Sequence, residues 1–375
     1  MMRAKPIGLY VHIPFCLKKC AYCDFCSFIN ADFPQKAEYI DALCREIDSY
    51  LGKGISLDSI FFGGGTPSLL SGEEFAKIVS HIRGAFSLSD DLEFTVEANP
   101  KTLTREKLIA YMNEGVNRIS LGLQSANSNE LSALGRIHSY EEFVESYMLV
   151  RDVGIDNLNV DLMYGIPEQT ADSFKATLEK VCELSPEHIS VYGLILEEGT
   201  PLYKSADKYR MPTEDEECDM YYLAADFLRA KGYSHYEISN YAKVGLECRH
   251  NLKYWMRDEY VGLGVSAHSF LNGKRSFAPS RLDVYTDGLF EEGCEEIGES
   301  EAMGEYVMLA MRTTRGVDEN VFFRRFKKSF DELFGDRLKP YCDGGFVVRE
   351  GGRCAFTDSG FYVSNSILSD VIDFN

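Results

Sequence analysis

The chain has 375 residues, 45% of them hydrophobic and 26% charged, with a formal net charge of −20. That composition supports a large buried core and excludes extended disorder, and its acidity excludes non-specific binding to nucleic-acid phosphates, which needs clustered Lys and Arg. No window approaches the roughly 18 consecutive apolar residues of a membrane span, and "MMRAKPIGLYVHIPFC" lacks the apolar core and cleavage site of a signal peptide.

In chain order, the first element is a strand, "IGLYVHI" (7–13). Four cysteines follow within eleven residues, at Cys16, Cys20, Cys23 and Cys26. Eleven cysteines in all are too sparse for a disulfide scaffold, and the other seven are scattered singly, as buried thiols usually are. This usage fits a reduced, cytoplasmic setting, where a tight cysteine cluster reads as a metal site. Thiolates spaced C-x3-C-x2-C favour zinc or an iron–sulfur cluster. Structural zinc needs a fourth ligand, and Cys26 is the candidate. Against it, the bulky Phe25 follows the third cysteine, and a short loop cannot easily wrap four thiolates around a cubane. The other reading is a 4Fe–4S cluster held by Cys16, Cys20 and Cys23, with one iron open.

A second strand, "LDSIFFG" (57–63), runs into Gly63, Gly64, Gly65 and Thr66, where backbone can approach a ligand closely. Further strands are expected at 92–98, 117–123, 157–165 and 188–195. Amphipathic helices are expected at 35–51, 72–85, 104–114, 140–153 and 170–184. Strand–helix repeats at roughly 30-residue spacing indicate an α/β protein with a parallel sheet. Six units favour a partial or complete barrel, with ligands at the C-terminal ends of its strands. Polar residues stand at those ends, Glu97, Gln124, Arg136 and Asp161, and together they define one mouth.

Beyond the sixth strand, residues 205–235 read as helical, and "YEISNYA" and "YVGLGVSAHSF" as strand or loop. From about residue 298 a helix, helix, hairpin, helix pattern predicts a smaller α+β cap of the winged-helix type. Without a basic stripe it reads as a substrate or partner module and not as a DNA reader. The expected division is a barrel over 1–235, a connecting region over 236–297 and the cap over 298–375.

Cys16, Cys20 and Cys23 in "HIPFCLKKCAYCDF", followed by "GGGTPS", "EANP", "GLQS", "LGR" and "DLMYGIP", resemble the radical S-adenosylmethionine (SAM) superfamily. Within it they resemble the branch of oxygen-independent coproporphyrinogen III oxidases and HemW-type haem chaperones, over nearly the whole chain. The resemblance implies a partial (β/α)6 TIM-type barrel whose three cysteines hold a 4Fe–4S cluster, the open iron chelating the methionine end of SAM. It implies that Tyr10, Gly64, Gly65 and Thr66 line that end. Glu97, Gln124, Arg136 and Asp161 would hold the methionine carboxylate, the ribose hydroxyls and neighbouring groups. The chemistry implied is one-electron cleavage of SAM to methionine and a 5′-deoxyadenosyl radical, with an electron donor such as flavodoxin or ferredoxin.

Two features separate the subfamilies. The oxidases carry a cysteine one residue beyond the third ligand; here that place is Phe25, as in the chaperone group, and Cys26 is displaced by one. The oxidases also carry an N-terminal extension, and this chain begins barely fifteen residues before the cysteines, so that part is expected to be missing. The string His250-Asn251-x-x-Tyr254-Trp255 resembles the H-N-x-x-Y-W signature of the chaperone group. His250 is the expected axial ligand for haem, with Tyr254 and Trp255 offering flat apolar surface and Cys248 as an alternative iron ligand. His12 and His268 read as structural. The expected function is therefore haem binding and transfer to respiratory enzymes, with no membrane span and no nucleic acid. The alternatives are oxidative decarboxylation of coproporphyrinogen III to protoporphyrinogen IX, or opening of the haem ring.

Overall fold

In the computed structural model, residues 5–29 and 33–372 are described. The alternation of buried β-branched runs with amphipathic segments builds six β/α units: β1 (Ile7–Ile13), α1 (Phe33–Asp48), β2 (Ser56–Gly64), α2 (Gly72–Ala85), β3 (Ser87–Ala98), α3 (Arg105–Asn113), β4 (Arg118–Gln124), α4 (Tyr140–Asp152), β5 (Asn157–Tyr164), α5 (Ala171–Leu184), β6 (His188–Gly193) and α6 (Glu214–Ala230). Helix starts follow local chemistry. Ser71 and Glu74 form a reciprocal capping box at α2, and Ser139 and Glu142 do the same at α4. β1 to β6 pair in parallel and in chain order.

The segment after α6 extends this sheet at both ends. β7 (Ser234–Glu237) and β8 (Asn240–Ala242) add antiparallel beside β6. A helix, α7 (Arg249–Trp255), precedes β9 (Tyr260–Leu263), which pairs parallel with β1 as a seventh parallel strand. β10 (His268–Leu271), β11 (Lys274–Phe277) and β12 (Gly293–Glu296) continue antiparallel. The twelve strands form one sheet that ends at β12 and β7, so of the partial or complete barrel that six units favoured, the partial one is formed. It curves around a lumen, because residues of β1 through β6 line one common cavity with α7.

The strand-or-loop reading of "YVGLGVSAHSF" resolves into β9 and β10. α7 had no expected secondary structure, because seven residues carry too little periodicity to read. It plugs the floor of the lumen. Its first amides, Arg249 N–H and His250 N–H, each donate to the Glu93 carboxylate of β3 at 2.9 Å. Lys253 pairs with Asp58 on β2 at 2.7 Å.

The chain ends in α8 (Glu299–Ala310), α9 (Glu319–Phe326), α10 (Phe330–Asp343), the hairpin β13 (Val347–Glu350) and β14 (Arg353–Phe356), and α11 (Ser364–Val371). The strand Val317–Asp318 joins β14, giving the three-stranded wing of a winged-helix unit. Its core of Tyr306, Phe322, Phe330, Phe334 and Phe356 is separate from that of the barrel. The buried ion pair Arg257–Glu305 at 2.7 Å ties the two together. No helix among the described residues is long and apolar enough to cross a membrane.

Candidate functional site

The cysteine loop leaves the C-terminal end of β1 and is anchored by backbone. Phe15–Cys16 pairs in parallel with Phe28–Ile29, and Phe28 N–H donates to the Pro14 carbonyl at 2.7 Å. Midway, Ala21 N–H donates to the Leu134 carbonyl and the Ala21 carbonyl accepts from Leu202 N–H, at 2.9 and 2.8 Å. Gly135 allows this approach: it sits at φ +71°, and a Cβ there would lie 3.2 Å from the Ala21 nitrogen.

The loop places Cys16, Cys20 and Cys23 on the wall of one cavity of about 360 Å³, together with Gly64, Gly65, Thr66, Glu97, Gln124, Arg136 and Asp161. Cys26 is not on that wall. Its thiol donates to the Ser280 carbonyl at 3.5 Å, and its own carbonyl accepts from His12 Nε2–H at 2.8 Å. The same neutral ring then accepts the Tyr10 hydroxyl at Nδ1, 3.0 Å away. Tyr10 therefore reaches the cysteine loop through His12 and lines the adjoining lumen, not the cysteine cavity.

The glycines do something the sequence did not reveal. Gly65 N–H donates to the Ile13 carbonyl at 2.9 Å, and a Cβ at Gly65 would lie 2.8 Å from the Pro14 and Phe15 backbone. Gly64 sits at φ +105°, a Cβ there would lie 2.4 Å from the His12 ring, and its amide donates to Glu97 at 3.2 Å. The triplet thus lets β2 press against the segment carrying the first cysteine.

Arg136 is the hub of the polar side. It donates to Cys20 Sγ at 3.4 Å, to the Gly122 carbonyl at 2.8 Å and to Asn99 Oδ1 at 2.6 Å, while its Nε has no partner. Asn99 Nδ2 donates in turn to Thr66 Oγ1 at 2.9 Å, and the Thr66 hydroxyl donates to Cys16 Sγ at 3.6 Å. Two thiols are therefore linked through one hydrogen-bonded chain. Asn99 lies in the quoted "EANP" but escaped the sequence reading, because it follows the strand and has no charge to mark it. Gln124, 8% exposed, adopts φ +72° where β4 bulges after Gly122, a backbone strain that re-aims its side chain. Asp161 accepts from Ser120 and Asn159 at 2.9 and 2.8 Å.

The electrostatics suit a ligand that brings positive charge. Burial pushes the Cys16 and Cys23 thiols up, as it does the Asp161 carboxyl. Burial, then the Asp161 charge, lifts the Glu97 carboxyl to about 8 against the Gly64 amide. A carboxyl raised from 4.5 stabilises the fold below its ordinary value and loses that contribution as pH rises through about 8. The melting temperature of ligand-free protein is expected to fall between about pH 4.5 and about pH 8. Glu97→Gln should flatten that fall, each kcal/mol amounting to about 2 °C in a chain this long. Equal slopes in anaerobic thermal scans would rule the effect out.

His250 lies apart from the cysteines, at the floor of the lumen and 1% exposed. Both ring nitrogens are engaged, Nδ1 with the Ser59 hydroxyl at 3.0 Å and Nε2 with the Tyr254 hydroxyl at 2.8 Å. In this arrangement neither presents a lone pair to an iron. Burial drives its pKa down to about 3, which keeps the ring neutral.

The sequence profile of the Radical SAM superfamily matches residues 10–181, and that of the HemN C-terminal domain residues 299–363. With an open β/α barrel whose mouth carries three cysteines, these define a radical SAM protein. Among curated relatives, heme chaperone HemW of Bacillus subtilis (strain 168) is 35% identical over 369 residues, covering 96% of this chain and 97% of that one. Heme chaperone HemW of Escherichia coli (strain K12) is 33% identical over 384 residues, covering 98% of each. The chain belongs to the HemW family. Of solved structures, coproporphyrinogen III oxidase HemN from Escherichia coli superposes with a TM-score of 0.86 at 23% identity, over 100% of this chain and 92% of that one, a likeness of fold.

Proposed function

We propose that this protein is a haem chaperone carrying a SAM-chelating 4Fe–4S cluster. The observation that carries the reading is end-to-end similarity to proteins named as haem chaperones. The residues fit the cluster. Three thiols share one wall of a cavity of about 360 Å³, whereas among the described residues no three His, Cys, Asp or Glu side chains are spaced to grip a single ion. Cys16, Cys20 and Cys23 would hold the cluster, and Cys26, bonded elsewhere, leaves one iron open for SAM. When bound, the pair supplies one-electron reductive chemistry.

The chain's own groups then position SAM. Arg136, its Nε free, its Nη2 fixed by Asn99 and Gly122 and its Nη1 by Cys20, is oriented to pair with a carboxylate. Gln124 and Asp161 offer amide and carboxylate partners to ribose hydroxyls. Glu97 is protonated at neutral pH and can donate a hydrogen bond. Gly64, Gly65 and Thr66 shape the methionine end, and Tyr10 braces the cysteine loop from the lumen side through His12. Within this reading haem passes to respiratory acceptors in the cytoplasm, with flavodoxin or ferredoxin as electron donor. His250 supplies an axial nitrogen only once Tyr254 or Ser59 releases it.

The test is anaerobic incubation of reconstituted protein with SAM, reductant and coproporphyrinogen III. The chaperone reading expects haem binding and no protoporphyrinogen. Accumulation of protoporphyrinogen would establish the oxidase reading instead. Unchanged haem affinity in His250→Ala would remove His250 from the iron.

A further inference from the structure

A second chamber of about 220 Å³ lies beside the cysteine cavity and shares Glu97, Ser120, Asp161, Tyr192 and Phe25 with it. It runs from Phe25 and Tyr192, 69% and 39% exposed at the mouth, down to Arg118, His188 and His250. Arg118 is among the largest fully buried side chains of the protein, 2% exposed. Its Nε has no hydrogen-bond partner, and among the described residues its guanidinium makes no ion pair within 4.0 Å. Its register partner across β3, Thr95, has an unpartnered buried hydroxyl as well.

The groups around Arg118 are otherwise engaged. Glu93 accepts the first two amides of α7. Asp161 accepts Ser120 and Asn159. His188 bonds Asn159 at 2.6 Å and Tyr236 at 2.7 Å, and His250 bonds Ser59 and Tyr254. Glu93 and Asp161 lie near enough to favour the Arg118 charge, but neither pairs with it directly, and its planar fork of donors matches a carboxylate.

We propose that the lumen chamber is a carboxylate-binding site, with Arg118 as its recognition cation and entry between Phe25 and Tyr192. The carboxylate belongs either to a porphyrin propionate arm or to a small free carboxylic acid. The site does not depend on the haem-chaperone reading, since either source satisfies it.

The experiment uses anaerobically reconstituted full-length protein and the variants Arg118→Lys and Arg118→Met. One arm compares the affinities of haemin and haemin dimethyl ester; the other measures protection from thermal unfolding by sodium propionate. The expected result in wild type is about tenfold tighter binding of haemin than of its ester, which assigns a porphyrin arm, or a propionate-dependent rise in melting temperature with no ester effect, which assigns a free acid. Either effect should shrink at least about threefold in Arg118→Lys, which keeps the charge but loses the fork. SAM affinity should be unchanged in that variant. If Arg118→Met does not fold, Arg118→Lys alone decides. The proposal is overturned if wild type shows neither effect, if the effect survives both folded variants, or if Arg118→Lys weakens SAM alone.

Discussion

Replacing Cys20 with serine is expected to take the anaerobically reconstituted protein from about four irons per chain to fewer than one. Its brown colour and its SAM binding should go with the iron, because an iron–sulfur cluster needs its thiolate ligands and SAM needs the open iron. Cys20 sits where two constraints meet. It accepts Arg136 Nη1–H at 3.4 Å, and its neighbour Ala21 is fixed by backbone bonds to Leu134 and Leu202, so a water cannot easily take the place of the sulfur. Cys26→Ala provides the contrast. That thiol bonds the Ser280 carbonyl, and the backbone carbonyl held by His12 survives the substitution, so iron content should stay at the wild-type level. Iron and acid-labile sulfide analysis of both variants reads the difference. Equal iron in Cys20→Ser and wild type would remove that residue from the ligand set; loss of iron in Cys26→Ala would make the site a four-cysteine one.

Gly65→Ala is expected to cost about 3 kcal/mol or to leave the cysteine loop displaced, an effect at the upper end of overpacking. The added Cβ would lie 2.8 Å from the Phe15 oxygen and the Pro14 carbon and 2.9 Å from the Ile13 oxygen. These are backbone atoms of the segment leading into Cys16, so no side-chain rotation can relieve the contact. The Gly65 amide that bonds Ile13 at 2.9 Å fixes the approach from the other side. Chemical denaturation should show a lower midpoint, and cluster occupancy should fall even where the protein remains folded. Wild-type stability together with wild-type iron would mean that β2 can move away from the loop.

The barrel was legible because its signals are local and repeated. Buried strands and amphipathic helices announced six units, and Ile7–Ile13, Gly72–Ala85 and the start of Tyr140–Asp152 fall where periodicity put them. The spacing of Cys16, Cys20 and Cys23 was legible for the same reason. What stayed hidden depends on long-range contacts. β9 pairs with β1 across some 250 residues of chain, and four short residues of strand carry no pattern that says so. α7 is held as a plug by Glu93, 156 residues before Arg249, so His250 of "CRHNLKYW" read as a haem ligand when it is buried and doubly hydrogen-bonded. Asn99 and Arg118 were missed because an amide after a strand and an arginine within one look ordinary until their neighbours are known.

Titration of haem into the reconstituted, full-length protein under anaerobic conditions tests the central claim most directly. The account predicts a shifted, saturable Soret band at about one haem per chain, and transfer of that haem to an added apo-acceptor. A spectrum identical to free haem at every ratio, with the cluster intact, would contradict it.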